Sequence, residues 1–218
     1  MKITKLIEPS LLSIDKKNHT KQLKKIKALK ISYVHYDVMD GKFVNNTSFM
    51  HEEYLHEIDK LGLKANVHLM VEKPDKWLSK YKKYKLNSLG FHVETQAINQ
   101  SINLLKKIRA MGFKSMFAIK METNINKYKA LLPYTDIILI MSVEPGWGAQ
   151  AFNDKALSNL KKAKAFKKQY PNLIIQVDGG VNDKTIKYVR NYADWFITGS
   201  WFFKNIQHPQ KCLNTLKK

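Results

Sequence analysis

Three short apolar runs end in residues that could carry chemistry. The first closes as Val34-His35-Tyr36-Asp37-Val38-Met39-Asp40-Gly41, the second as Val67-His68-Leu69-Met70, and the third as Gln176-Val177-Asp178-Gly179-Gly180. In an extended strand, alternate side chains share a face, so His35, Asp37 and Met39 point the same way. If the three strand ends open on one rim, two imidazoles and two carboxylates converge. Imidazole nitrogen with carboxylate oxygen suits one divalent transition metal, such as zinc, iron, manganese or cobalt. Four protein ligands leave room for substrate oxygens if coordination expands. Asp40 before Gly41 and Asp178 before Gly179 also have a plainer explanation, as turn residues chosen for local hydrogen bonding.

Glycines form a second set. One apolar run leads into Ser142-Val143-Glu144-Pro145-Gly146-Trp147-Gly148-Ala149-Gln150, another into Gly179-Gly180, and the last into Thr198-Gly199-Ser200. Glycine lets the backbone approach a ligand closely. Backbone N–H groups at the ends of the last strands of an α/β barrel commonly hold phosphate.

The elements that must position these residues recur with a rhythm. Strand-like runs at Lys5–Pro9, Tyr33–Val38, Ala65–Met70, Ser88–Val93, Ser115–Ile119, Ile137–Ser142, Leu173–Asp178 and Trp195–Thr198 alternate with lysine-rich segments of helical pattern. Leu23, Ile26 and Leu29 form one helical stripe; Ile102, Leu105, Ile108 and Ala110 form another; Leu157, Leu160, Ala163 and Phe166 form a third. Eight units of about 27 residues are each long enough for a strand and its crossover helix. The pattern predicts an α/β fold: a single-domain (β/α)8 TIM barrel with parallel strands over residues 1–218, with an open doubly wound sheet as the alternative. No linker or low-complexity tract divides the chain.

Composition narrows the class. The 218 residues are 44% hydrophobic and 26% charged, ordinary for a globular protein. One cysteine, Cys212, excludes an internal disulfide and a cysteine-based zinc cluster. No apolar run approaches the ~20 residues of a membrane span, and the first residues lack the pattern of a signal peptide, so no membrane association and a cytoplasmic location are expected. The net charge of +20 raises nucleic acid as a partner. However, arginine occurs only at Arg109 and Arg190, and the lysines are spread along helical segments. Lysine cannot imitate the bidentate arginine fork, so no nucleic acid is expected. A lysine-rich nucleic-acid-binding barrel remains the reading from another class.

Read together, the motifs resemble the ribulose-phosphate 3-epimerase family. The resemblance rests on Pro9-Ser10-Leu11-Leu12-Ser13, His35 to Val44, Val67 to Val71 with Pro74, Met141 to Gly146, Gln150 and Phe152, Val177 to Val181, and Gly199-Ser200 before Phe202. Order and spacing match over nearly the whole chain. The resemblance implies a metal-dependent 3-epimerase of the pentose phosphate pathway, an isomerase acting on D-ribulose 5-phosphate and D-xylulose 5-phosphate. It implies that His35, Asp37, His68 and Asp178 hold the metal, with Asp37 as proton acceptor and Asp178 as proton donor on opposite faces of the substrate. Ser10 would hydrogen-bond in the site, and Met39, Met70 and Met141 would pack beside the reacting carbons. Gly146, Trp147, Gly148, Ala149, Gly179, Gly180, Gly199 and Ser200 would hold the phosphorylated ketose. The family is usually oligomeric, which implies a homo-oligomer. A sister activity, on allulose 6-phosphate, would keep the mechanism and change the sugar.

The chain departs from the family pattern at several positions. Trp147 stands for phenylalanine, Ala149 for glycine, Trp201 for alanine and Lys120-Met121 for Asn-Pro, and the run at 45–50 lacks the usual proline and glycine. Glu8 stands for alanine and alternates to the same side as Ser10. A charge inside a barrel needs a partner, so Glu8 and Lys120 are expected to pair directly or through water. His92 and Glu94 also alternate inward and are expected to form a structural hydrogen-bonded pair.

Overall fold

All eight strand-like runs form strands, with boundaries shifted by at most two residues. The computed structural model describes residues 5–49, 51–208 and 214, so Cys212 lies outside the described residues. The strands are β1 Leu6–Pro9, β2 Tyr33–Asp40, β3 Thr47–Ser48, β4 Lys64–Met70, β5 Ser88–His92, β6 Lys114–Ile119, β7 Ile137–Met141, β8 Ile174–Asp178 and β9 Trp195–Thr198. Between them lie α1 His19–Ala28, α2 Leu55–Lys60, α3 Leu78–Tyr81, α4 Ile98–Ala110, α5 Ala156–Phe166 and α6 Ile186–Val189, and α7 Ser200–Lys204 follows β9. A run of 3-10 turns, Ile125–Tyr134, takes the helix position between β6 and β7. Pro133 lies inside it and cannot donate a backbone hydrogen bond.

The strands pair in the order β1-β9-β8-β7-β6-β5-β4-β2, every pair parallel. A parallel bridge between Ser10 and His35 joins β1 to β2 and closes the ring. The fold is therefore the (β/α)8 barrel that the alternation predicts, and the open sheet is excluded. The short β3 is additional. It pairs antiparallel with the end of β2, Met39 opposite Ser48 and Asp40 opposite Thr47, and two residues are too few to show a period in sequence.

Parity sorts the strand side chains. Val34, Tyr36 and Val38 of β2 face outward into the large core shared with the helices, together with Leu23, Ile26, Leu105, Ile108, Leu160 and Ala163. Burying each of the valines, leucines and isoleucines among them contributes about 1.5–3 kcal/mol. Inside the ring, Met116, Ala118, Ile137, Leu139, Ile174, Trp195 and Ile197 make a second apolar cluster. The opposite parity of β1, β2, β4 and β8 places Glu8, His35, Asn66, His68 and Gln176 in the same interior, all buried. An apolar plug and a polar band thus share the barrel lumen, and the polar band supports the site.

Candidate active site

The four residues proposed as metal ligands meet. His35, Asp37, His68 and Asp178 each offer an atom, and these atoms lie within 4.8 Å of one another at the carboxyl ends of β2, β4 and β8. His35 Nε2 approaches Asp37 Oδ1 at 3.1 Å and Asp178 Oδ2 at 3.8 Å. His68 Nδ1 lies 3.1 Å from the same Asp37 oxygen. The other Asp37 oxygen accepts a hydrogen bond from Ser10 Oγ at 2.7 Å. Register explains the convergence: His68 on β4 stands opposite Asp37 on β2, and the Ser10–His35 bridge brings the end of β1 alongside.

Electrostatics separates the two carboxylates. Burial opposes the charge of Asp37, but the His35 and His68 rings beside it outweigh burial and hold its pKa far below the usual carboxylate range. Asp178 moves the other way, pushed up to about 7 first by burial and then by the charge of Asp37. Burial works against the charged form of His35; the Asp37 carboxylate and the Glu8 acceptor overcome it and raise its pKa well above the imidazole range. Burial pushes His68 down to about 4, against the pull of Asp37. Two carboxyl groups with pKa values driven apart are the electrostatic mark of an acid and base pair.

The residues present fit a divalent cation. His35 Nε2 is buried and lacks a hydrogen-bond partner, although carboxylate oxygens lie close by. Two nitrogens and two carboxylate oxygens in so small a space form a donor set suited to the transition metals named above.

A cleft of about 320 Å3 opens over this cluster. Ser10, Asp37, Met39, Met70, Met141, Gly146, Trp147, Gly148, Ala149, Asp178, Gly179, Gly180, Gly199 and Ser200 all line it, whereas His35 and His68 lie beneath its floor. At Gly180 an added Cβ would fall 2.2 Å from Phe152 N, and at Gly179 2.5 Å from Val143 Cγ2, so only glycine lets these backbones pack there. Ala149 keeps the left-handed backbone, φ 59°, that the family's glycine would adopt without strain. Trp201 and Trp147 both line the cleft, and Trp147 is 60% exposed.

Ser13, not singled out from the sequence, lines the cleft between two glycines. Its Oγ lies 2.8 Å from where a Gly199 Cβ would stand and 3.6 Å from that of Gly148. The signal was available, since Ser13 follows Ser10 in the same turn.

The expected pairing of Glu8 with Lys120 is corrected. Lys120 Nζ binds Glu144 at 2.7 Å and lies over the Phe43 ring. Glu8 instead accepts from His35 Nδ1 at 3.2 Å, Asn66 Nδ2 at 2.8 Å and Gln176 Nε2 at 2.9 Å. Alternation gave the face of Glu8 correctly but not its depth. Glu8 sits one inward step below Ser10, whereas Lys120 follows the last residue of β6 at the rim. His92 Nδ1 and Glu94 pair at 3.0 Å as expected. Asp40 is the turn residue of the plainer explanation, accepting from the N–H groups of Lys42, Phe43 and Glu72.

A closed parallel barrel with a histidine–carboxylate cluster under a glycine-lined cleft defines an α/β-barrel enzyme with a metal-type centre. The ribulose-phosphate 3 epimerase family model matches residues 6–203, and the chain belongs to that family of isomerases. It is 37% identical to the ribulose-phosphate 3-epimerase of Mycoplasma genitalium over 84% of this chain and 85% of that protein. To the enzyme of the same name from Aquifex aeolicus it is 31% identical, over 97% and 96%. Among solved structures, a tryptophan synthase alpha-subunit from Pyrococcus furiosus shares the fold, with a TM-score of 0.70 over 97% of both chains at 12% identity. Among the described residues, no helix is long and apolar enough to cross a membrane.

Proposed function

We propose that this chain interconverts D-ribulose 5-phosphate and D-xylulose 5-phosphate, in the cytoplasmic pentose phosphate pathway, as one catalytic barrel over residues 1–218. The observation that carries the reading is that Asp37 and Asp178 both approach His35 Nε2, at 3.1 and 3.8 Å, with their carboxyl pKa values driven in opposite directions. Asp37 stays ionised and accepts the C3 proton. Asp178, whose carboxyl is pushed up to about 7 before a cation binds, serves as the proton donor to the opposite face. One base cannot easily reach both faces of a planar enediolate, so two carboxyl groups divide the work.

The remaining residues hold and shield. Ser10 Oγ fixes one oxygen of Asp37, which leaves the other turned toward the histidines. Met39, Met70 and Met141 give the cleft a soft apolar wall that keeps water from the reacting carbons. Backbone N–H groups of the Gly146–Ala149, Gly179-Gly180 and Gly199-Ser200 segments, with Ser13 Oγ beside them, would hold the phosphate. A divalent ion held by His35, Asp37, His68 and Asp178 would supply Lewis-acid compensation of the negative charge that develops on the substrate oxygens.

The test is a coupled assay on ribulose 5-phosphate with added metal, comparing Asp37→Asn and Asp178→Asn with the unaltered chain. Each variant is expected to lose roughly 10²–10⁴-fold in kcat. Full activity in either would overturn the two-base assignment, and faster turnover of allulose 6-phosphate would transfer the same chemistry to the hexose.

A further inference from the structure

Beneath the proposed metal ligands, Glu8 is 1% exposed and holds partners on three other strands: His35 on β2, Asn66 on β4 and Gln176 on β8. Oxygen Oε1 takes His35 Nδ1 and Asn66 Nδ2, while Oε2 takes Gln176 Nε2. The network fixes its own direction. Asn66 Oδ1 already accepts from Asn87 Nδ2 at 2.7 Å and Ser88 Oγ at 2.6 Å, so its amide N–H2 must face Glu8. Both donors to Asn66 are themselves buried.

The consequence falls on His35. One ring nitrogen is committed to Glu8, and the other, without a hydrogen-bond partner, faces Asp37 and Asp178. A carboxylate that accepts from one nitrogen of a ligating histidine fixes the tautomer and ring orientation and makes the other nitrogen a stronger donor to a cation.

We propose that Glu8 is a positioning residue: it holds His35 with Nδ1–H toward itself and Nε2 toward the ligand cluster, and so tightens cation binding there. The inference rests on the metal-centred reading above. Asn66 and Gln176 act through Glu8 by holding its carboxylate in place. None of these three touches the cleft.

The experiment loads chelator-stripped protein with Zn2+ and measures affinity by competition with a chromophoric chelator, alongside the NMR resonance of the His35 Nδ1 proton. In Glu8→Ala the affinity is expected to fall roughly 10–100-fold, and the Nδ1 proton signal to be lost. Glu8→Gln keeps an acceptor and the side-chain volume, so it is expected to fold and to bind with intermediate affinity. Leu105→Ala, a buried change on α4, controls for lost stability and is expected to leave Zn2+ affinity unchanged. Equal Zn2+ affinity in Glu8→Ala, Glu8→Gln and the unaltered chain would overturn the role of Glu8 and leave the metal centre standing. Failure of the unaltered chain to bind Zn2+ at one per chain would overturn the metal-centred reading and the role of Glu8 with it.

Discussion

Ser10 Oγ donates to Asp37 Oδ2 at 2.7 Å, the only hydroxyl bonded to either of the two candidate acid–base carboxylates among the described residues. The bond links β1 to β2 at the seam where the barrel closes, and Ser10 is itself bridged to His35 there. Closure of the fold and orientation of the proposed proton acceptor thus meet at the same residue.

Ser10→Ala should therefore damage the reaction more than the fold. A hydrogen bond to a charged group contributes about 1.5–3 kcal/mol, so kcat/KM is expected to fall roughly 10–100-fold. Zn2+ affinity should change little, because Asp37 Oδ1 and both histidines remain. Steady-state kinetics beside a chelator competition separate the two effects; a large loss of affinity without a kinetic defect would refute the role given to Ser10.

Cation binding should weaken in acid. The Asp178 carboxyl, raised to about 7 by burial and by Asp37, carries a proton below that pH. A cation must displace this proton, so affinity is lost as pH falls through 7 and regained above it. Release of up to one proton gives at most roughly a 10-fold change in Zn2+ affinity between pH 7 and 6. Calorimetry in buffers of different ionisation enthalpy counts the protons, and a flat profile would contradict the electrostatic account.

Gly179 occupies a left-handed backbone, φ 117°, with Val143 pressed against the place a side chain would take. Gly179→Ala should cost roughly 1–3 kcal/mol through overpacking, and should raise KM by displacing the N–H groups at the cleft. The double variant with Val143→Ala removes the two closest contacts, those of the Val143 methyls, but leaves the residue's Cβ at 2.9 Å and the backbone strain. Denaturant unfolding should show partial recovery; no recovery would mean that the collision is not the cause.

Much of this architecture was legible in the chain because barrel strands carry a strict period of two. His35, Asp37, His68 and Asp178 could be placed on strand ends, and all eight runs form strands, because inward and outward residues alternate with little ambiguity. The glycine segments were legible for the same reason: they follow the strands directly. Alternation assigns a side chain to a face, however, and says nothing of how far along the lumen it lies. Glu8 was accordingly matched to Lys120 at the rim when its partners are His35, Asn66 and Gln176 deeper in the barrel. Neither Asn66 nor Gln176 stood out, since a buried amide resembles any other polar residue until the strands around it are in register. The two-residue β3 was hidden by its length.

The division of labour between Asp37 and Asp178 is tested most directly by running D-ribulose 5-phosphate in D2O and following both deuterium at C3 and inversion of that carbon. The unaltered chain should do both. Asp178→Asn should exchange the C3 hydrogen, because Asp37 still removes and returns it on one face, yet yield almost no xylulose 5-phosphate. Asp37→Asn should neither exchange nor invert this substrate. Inversion at an undiminished rate in either variant would contradict the account.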